Sequence, residues 1–260
     1  MPDRLLAITG GAGRIATAVR PLLREHYRLR LADLRDATDL HPGEESMVAD
    51  VSDLAAAERV AQGASAILHL AADPSTAATW DVVRRVNLDA TYNVYEAARR
   101  NGANKVVFAS SNHAMGFWNL DKRWPIPTEG EIRPDSLYGV SKAFGEALGR
   151  YFSDAFGISI ICIRIGWFTP RTPNHPDLNP LWISARDIGQ LFLLSLQTER
   201  RFGIYNGTSN NPQHHWDLSS ARQELGYEPQ DDVSVFPVDG QNVSPYVDPQ
   251  AGVLKAFTPR

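Results

Sequence analysis

A single cysteine, Cys162, stands among 260 residues, which excludes an internal disulfide framework. It lies in the apolar run Ile160-Ile161-Cys162-Ile163, where a thiol behaves as a small hydrophobe, and such usage suits a reducing cytoplasm. Charge of one sign is scarce as well. The 26 basic and 30 acidic residues leave a formal charge of −4, too weak a field to draw in a polyanion, so nucleic acid and acidic lipid are set aside in favour of a small ligand. No stretch approaches the roughly 20 apolar residues of a membrane helix, and Leu5–Ile8 is too short for the core of a signal peptide. Metal-ligand spacing is missing too. His214 and His215 are adjacent, so in an extended segment they point to opposite sides, and neither has a cysteine or acid at ligand spacing. No metal site is expected.

What remains is ordinary in composition, with 43% hydrophobic and 22% charged residues, and long enough for one large domain or two small ones. Short apolar runs recur at Leu5–Ile8, Leu29–Leu31, Ser46–Ala49, Ala66–Leu70, Val106–Ala109 and Ile158–Ile163. Between them Arg14–His26, Leu54–Gln62, Trp80–Asn101 and Ser136–Phe156 carry apolar residues at three- and four-residue spacing, with Gly102 and Gly157 as stop signals. Strand and helix in alternation predict a doubly wound α/β fold of Rossmann type, its parallel sheet covered on both faces. After Arg164 the alternation fades. Pro170, Pro173, Pro176 and Pro180 predict an extended loop, followed by a helix at Ala185–Leu196, a strand near Ile204–Asn206 and a helix near Ser219–Leu225. These late pieces are expected to cap the carboxyl ends of the strands. The organisation expected is therefore a dinucleotide-binding part over residues 1–170 and a small substrate-binding region over 171–260, packed as one unit. The stretch from about Gln230 is expected to wrap the surface or fray, and Trp80, Trp118, Trp124, Trp182 and Trp216 to serve as core or pocket wall.

The first strand runs straight into Thr9-Gly10-Gly11-Ala12-Gly13-Arg14-Ile15-Ala16 and a helix. There Gly10 permits a tight turn, Gly13 lets backbone approach a pyrophosphate, Ala16 allows close helix–sheet packing, and the helix amino terminus holds the phosphates. Without a ligand the same pattern is only a strand-to-helix turn. Asp33, twenty positions beyond Gly13, ends the second strand, where a carboxylate accepts hydrogen bonds from the adenosine ribose and repels a 2′-phosphate. The cofactor expected is NAD. Arg35 is expected either to pair with Asp33, the preferred reading, or to swing to a 2′-phosphate and relax the preference for NAD, and Asp50, after the third strand, is placed either near adenine or in a plain loop.

Tyr138 and Lys142 stand four apart on one face of a predicted helix. With eight tyrosines and four lysines in the chain, chance would supply such a spacing roughly 0.1 times. Ser111 closes the strand that begins at Val106, at the carboxyl edge where ligands of open α/β sheets bind. A tyrosine of ordinary pKa near 10 is a poor base, but a lysine ammonium and the positive ring of oxidised nicotinamide both favour its phenolate. Tyr138 is then expected to take the proton of a substrate hydroxyl, with Ser111 holding that oxygen and Lys142 anchoring the nicotinamide ribose.

Across residues 1–170 the chain resembles the extended branch of the short-chain dehydrogenase/reductase superfamily, through Thr9-Gly10-x-x-Gly13-x-x-Ala16, Asp33, Asp50, Leu70-Ala71-Ala72, Asn87, Ser110-Ser111 and Tyr138-x-x-x-Lys142. The resemblance implies that Gly10, Gly13, Arg14, Ile15, Asp33, Leu34, Asp50, Val51, Leu70, Ala71, Ala72, Asn87 and Ile165, with Tyr138 and Lys142, contact NAD, and that Asn87 helps to hold Lys142 through water. The segment Phe108–Gly116 is similar to one in uronate dehydrogenases and haloarchaeal NAD-dependent glucose-6-phosphate dehydrogenases, and Arg164-Ile165-Gly166, Leu181–Ser184 and Leu225–Pro229 extend that similarity. By it, Ser75, Ser111, Asn112, His113, Tyr138, Trp167 and Arg171 are placed on the sugar, and the reaction implied is oxidation of the anomeric hydroxyl of a hexose with an acidic C6 group to a lactone. Two departures stand out: Trp167 replaces a serine, and Asn174-His175-Pro176-Asp177 stands where an arginine meets the uronate carboxylate, so that Arg171, His175 or a cluster of amides must compensate, or the substrate differs, with a phosphorylated, sulfonated or neutral hexose left open. A sugar epimerase or dehydratase and a non-catalytic NAD sensor are the rival readings. Relatives also commonly pair through the two long helices, implying a homodimer or higher homo-oligomer.

Overall fold

The computed structural model describes residues 2–169 and 178–235. Seven parallel strands make one sheet: β1 (Leu5–Thr9), β2 (Arg28–Asp33), β3 (Glu44–Val48), β4 (Ala66–His69), β5 (Lys105–Ser111), β6 (Ser159–Ile165) and, after the two short strands β7 (Trp167–Phe168) and β8 (Trp182–Ile183), β9 (Phe202–Gly207). Their spatial order is β3-β2-β1-β4-β5-β6-β9, while β7 and β8 pair only with each other. The order reverses between β1 and β4, and the crevice outside the carboxyl ends of those strands is where an open α/β sheet binds its ligand.

Both faces of the sheet are apolar, so every residue of β1 is buried. Leu6 and Ile8 face a core that includes Val19, Leu191 and Phe192, whereas Leu5 and Ala7 face a second core with Val60, Val94 and Phe152. The first face is covered by α1 (Arg14–Leu23) and, later in the chain, α7 (Ala185–Gln197); the second is covered by α2 (Leu54–Ala61), α4 (Ala90–Asn101) and α6 (Leu137–Phe156). Helices α4 and α6 stop where expected, because Gly102 and Gly157 adopt left-handed backbone at φ 75° and 73° and end the ladder at little steric cost.

Three departures from the sequence-based expectation follow from packing. The stretch expected as one helix from Trp80 is a short α3 (Trp80–Val82), a π-helical segment Val83–Asp89 and then α4; the widened turn carries Asn87, whose side chain is claimed by partners on neighbouring segments. The late strand and helix do not simply cap the sheet. β9 pairs with β6 over Ile160↔Phe202 to Ile165↔Gly207 and so lengthens the main sheet, and α7 lies against α1; their apolar faces are better satisfied there than over a polar cleft. Finally, Trp80 and Trp124 are 51% and 40% exposed, not core, while Trp182 and Trp216 are buried. The prolines at 170, 173 and 176, Arg171, Asn174 to Asp177 and the chain from 236 onward fall outside the described residues.

Candidate active site

A cavity of about 350 Å³ opens at the carboxyl edge of the sheet, bounded by the glycine turn, the ends of β4, β5 and β6, the start of α6 and β7. At its coenzyme end the backbone itself shapes the walls. Gly10 sits at φ 70°, and a Cβ there would lie 2.8 Å from the Ala71 nitrogen; a Cβ on Gly13 would lie 2.9 Å from the Gly10 oxygen. Gly11, which the motif reading passed over, is held as tightly, since its Cβ would lie 2.7 Å from Leu31 Cα. Gly13 is the N-cap of α1 and makes no side-chain cap hydrogen bond to its first turn, and a helix amino terminus of this kind favours an anion. Asp33 is held across the turn: its carboxylate accepts from Ala12 N at 3.1 Å and from Leu34 N at 2.7 Å. A turn with no room for a Cβ at Gly10, Gly11 or Gly13, a helix start without a side-chain cap and a fixed acid at the end of β2 suit a dinucleotide.

Other predicted coenzyme residues are distributed less uniformly. Gly10, Gly13, Arg14, Ile15, Leu70, Ala72, Tyr138, Lys142 and Ile165 line the cavity. Leu34 is 67% exposed and Val51 is packed in the second core. Asp50 accepts from Ser52 N and faces Arg85 at 3.3 Å. Arg35 does not pair with Asp33; it donates to the Ala12 carbonyl at 3.1 Å, on the same turn whose Ala12 N–H bonds the Asp33 carboxylate. Asn87 binds the backbone of Asp73 on both sides and donates to Ser141 Oγ at 3.0 Å, so it braces α6 one residue from Lys142.

That brace continues a buried polar chain. Ala71 N donates to Thr9 Oγ1, which meets His69 Nδ1 at 2.7 Å; His69 Nε2 meets Thr91 Oγ1 at 3.2 Å, and Thr91 donates to the Asn87 carbonyl. Thr91 has one hydroxyl proton and spends it on Asn87, so Nε2 of His69 must be the donor and Nδ1 the acceptor of the Thr9 proton. Burial, with the neighbouring Lys142 charge adding to it, holds this imidazole neutral down to about pH 3.

Tyr138 and Lys142 project from the first turns of α6, whose N-cap Ser136 accepts from Gly139 N. Lys142 Nζ donates to the Ala109 carbonyl at 2.8 Å and lies 5.4 Å from the centre of the Tyr138 ring. The expected lowering of the phenol by the ammonium is not a property of the protein alone. Burial pushes Tyr138 up to about 12, against the downward pull of its hydrogen bond with Ser111, and burial pushes Lys142 down to about 7, against the carboxylate of Glu146. Below these residues Arg164 grips Glu146 with two 2.8 Å bonds and Ser110 donates to the same carboxylate at 2.6 Å, a fully paired buried charge that fixes α6 against β5 and β6.

At the opposite end of the cavity stand Ser111, Asn112, His113 and Trp167. Ser111 donates to Asn112 Oδ1 at 3.0 Å and accepts from His113 N at 3.2 Å. His113 is not a simple cap of the strand end. Its Nδ1 lies 2.9 Å from both oxygens of Asp135, and its ring meets that of Tyr138 edge-on at 5.6 Å. Asp135, buried and contributed by the residue pair that opens α6, was missed by sequence reading, and so was its signal: Gly116, where a Cβ would lie 1.9 Å from Asp135 Oδ2. Ser75 is exposed and tied to Asp73, whereas its neighbour Pro74 lines the cavity. His215 stacks on Trp124 at 3.6 Å, and no group of histidine, cysteine and acidic residues suited to a metal occurs among the described residues.

This constellation on a Rossmann-type sheet defines a nucleotide-dependent enzyme of the tyrosine–lysine type, and the family model for the NAD dependent epimerase/dehydratase family matches residues 6–185. The chain belongs to that family. It is 36% identical to an NAD-dependent glucose-6-phosphate dehydrogenase of Haloferax volcanii over 92% of this chain and 98% of the relative, and 34% identical to a uronate dehydrogenase of Pseudomonas syringae pv. tomato over 99% and 95%. The crystal structure of a glucuronic acid dehydrogenase from Chromohalobacter salexigens superposes with a TM-score of 0.85 at 33% identity, covering 96% of this chain and 92% of that one.

Proposed function

We propose that the chain is an NAD-dependent aldose 1-dehydrogenase, oxidising the anomeric hydroxyl of a hexose with an acidic C6 group to the lactone. The observation that carries this reading is the meeting, in one cavity, of Tyr138, Lys142 and Ser111 with a glycine turn anchored to Asp33. The relatives act on a 6-phosphate and on uronates, both anionic at C6. Gly10, Gly13 and the amino terminus of α1 hold the pyrophosphate, Asp33 the adenosine ribose, and Lys142 the nicotinamide ribose. Bound oxidised NAD supplies the two-electron acceptor for the C1 hydrogen and a positive ring charge that draws a nearby phenol down. Tyr138 takes the hydroxyl proton, and Ser111 holds the oxygen from which it leaves. Residues 1–170 hold the coenzyme and also bring Ser111, Asn112, His113 and Trp167 to the sugar, and the region from 171 onward, with Arg171, completes the substrate side.

Adding NAD and a panel of aldoses, uronates and hexose phosphates tests the reading. Net NADH formation is the expected result; product without net reduction marks an epimerase or dehydratase, and binding without turnover a sensor. We further take the enzyme to act in the cytoplasm as a homodimer joined through α4 and α6. Tyr92, Leu137, Val140, Tyr151 and Phe156 on these helices are 39–58% exposed, an apolar face that pairing would remove from water. Sedimentation at twice the monomer mass is the expected outcome. No helix among the described residues is long and apolar enough to cross a membrane.

A further inference from the structure

We propose that Asp135 is a positioning residue for the sugar: it accepts a hydrogen bond from Nδ1–H of His113 and so leaves Nε2 as an acceptor for the hydroxyl at C2, next to the carbon oxidised. This rests on the reaction proposed above and assigns a role to a residue that does not line the cavity.

The argument is one of proton accounting. An ionised carboxylate can only accept, so at 2.9 Å from both Asp135 oxygens Nδ1 of His113 carries the hydrogen. In a neutral ring Nε2 is then bare. It has no hydrogen-bond partner among the described residues, the His113 side chain is 14% exposed, and His113 borders the cavity. The carboxylate has no freedom to let go. Ser136 Oγ donates to its Oδ1 at 3.0 Å, its own backbone N–H bonds the His113 carbonyl at 3.3 Å, and the Gly116 backbone walls off Oδ2. The placement on C2 follows from reach. The His113 N–H is bonded to Ser111 Oγ and its ring touches the Tyr138 ring, so with the C1 oxygen held between Ser111 and Tyr138, the adjacent hydroxyl falls to His113. His69 shows the opposite arrangement, a donor at Nε2, because a threonine and not a carboxylate meets its Nδ1.

Two measurements test this. In nitrogen-15 NMR of the wild-type protein, with the His113 signal assigned through His113→Gln, the expected state is protonated at Nδ1 and bare at Nε2; the reverse tautomer or a doubly protonated ring overturns the proposal and needs no altered carboxylate. Asp135→Asn, nearly identical in shape, is expected to raise the sugar KM roughly 10–100-fold, as loss of a charge-assisted hydrogen bond does, with kcat and the KM for NAD within about threefold. On a 2-deoxy substrate the wild type should lose a similar factor while Asp135→Asn loses almost nothing further. Equal discrimination against the 2-deoxy sugar by both proteins, or a fall in kcat at unchanged sugar KM, sinks the assignment. Absence of NADH from wild type with every aldose would instead sink the reaction itself, leaving the tautomer measurement to stand alone.

Discussion

The two ends of the cavity are built on different principles. At the coenzyme end the walls are backbone: a turn with no room for a Cβ at Gly10, Gly11 or Gly13, a helix terminus without a side-chain cap, and one carboxylate pinned by two N–H groups. At the sugar end the walls are side chains drawn from β5, the opening of α6 and β7, oriented by other side chains such as Asp135. Backbone recognition depends on a few contiguous residues and tolerates only glycine; side-chain recognition depends on partners far apart in the chain and can be re-aimed by one substitution. The first suits a cofactor common to many enzymes, the second a substrate that differs among relatives.

That contrast can be broken most severely at the junction of the two ends. Tyr138→Phe should lower kcat roughly 10²–10⁴-fold while calorimetric NAD affinity stays within a few fold, since only the proton acceptor is removed; near-normal turnover would remove Tyr138 from the chemistry. Asp33→Ala should act on the coenzyme end alone, weakening NAD by about 10–100-fold and narrowing the gap to NADP, with the sugar KM unchanged. Gly11→Ala should not alter specificity at all. Its methyl would strike Leu31 backbone, and the expected result is a loss of about 1–3 kcal/mol of stability, read as a drop in Tm.

The subtlest test concerns pH. Lys142 has its pKa lowered by burial from 10.5 to about 7, so between about pH 7 and 10.5 the unfolded chain holds a proton that the folded chain has released. Over that window stability contributed by this group rises with pH, and below it the cost of burial is constant. Comparing wild type with Lys142→Met by denaturant melts, the variant should be the more stable at pH 7 and its advantage should shrink toward pH 10; an advantage independent of pH would show that Lys142 is not the titrating group.

Legibility followed the same divide. Strand and helix order, the stops at Gly102 and Gly157, the glycine turn, Asp33 and the Tyr138–Lys142 pair are each set by neighbours within a few residues, which periodicity and spacing report. Asp135 could not be read that way, because its partner His113 is 22 residues distant and nothing local marks the pair except Gly116. Arg35 was misplaced for a similar reason: adjacency in sequence suggested Asp33, yet its guanidinium bonds the Ala12 carbonyl, 23 residues away on the facing turn. The membership of β9 in the main sheet and the π-helical widening at Asn87 are decided by tertiary packing, to which intrinsic propensity yields.

The hydrogen-bonded run from Thr9 through His69 and Thr91 to Asn87 and Ser141 assigns every proton along it. None of its members can therefore drift independently: replacing Thr9 by valine strands one imidazole nitrogen, and replacing Thr91 strands the other, each at a buried position. Across evolution these five positions should be inherited as a block or exchanged as a block for an apolar set. A homologue with a leucine at position 69 should carry compensating changes at 9, its partner on the neighbouring strand β1, and at 91 in α4.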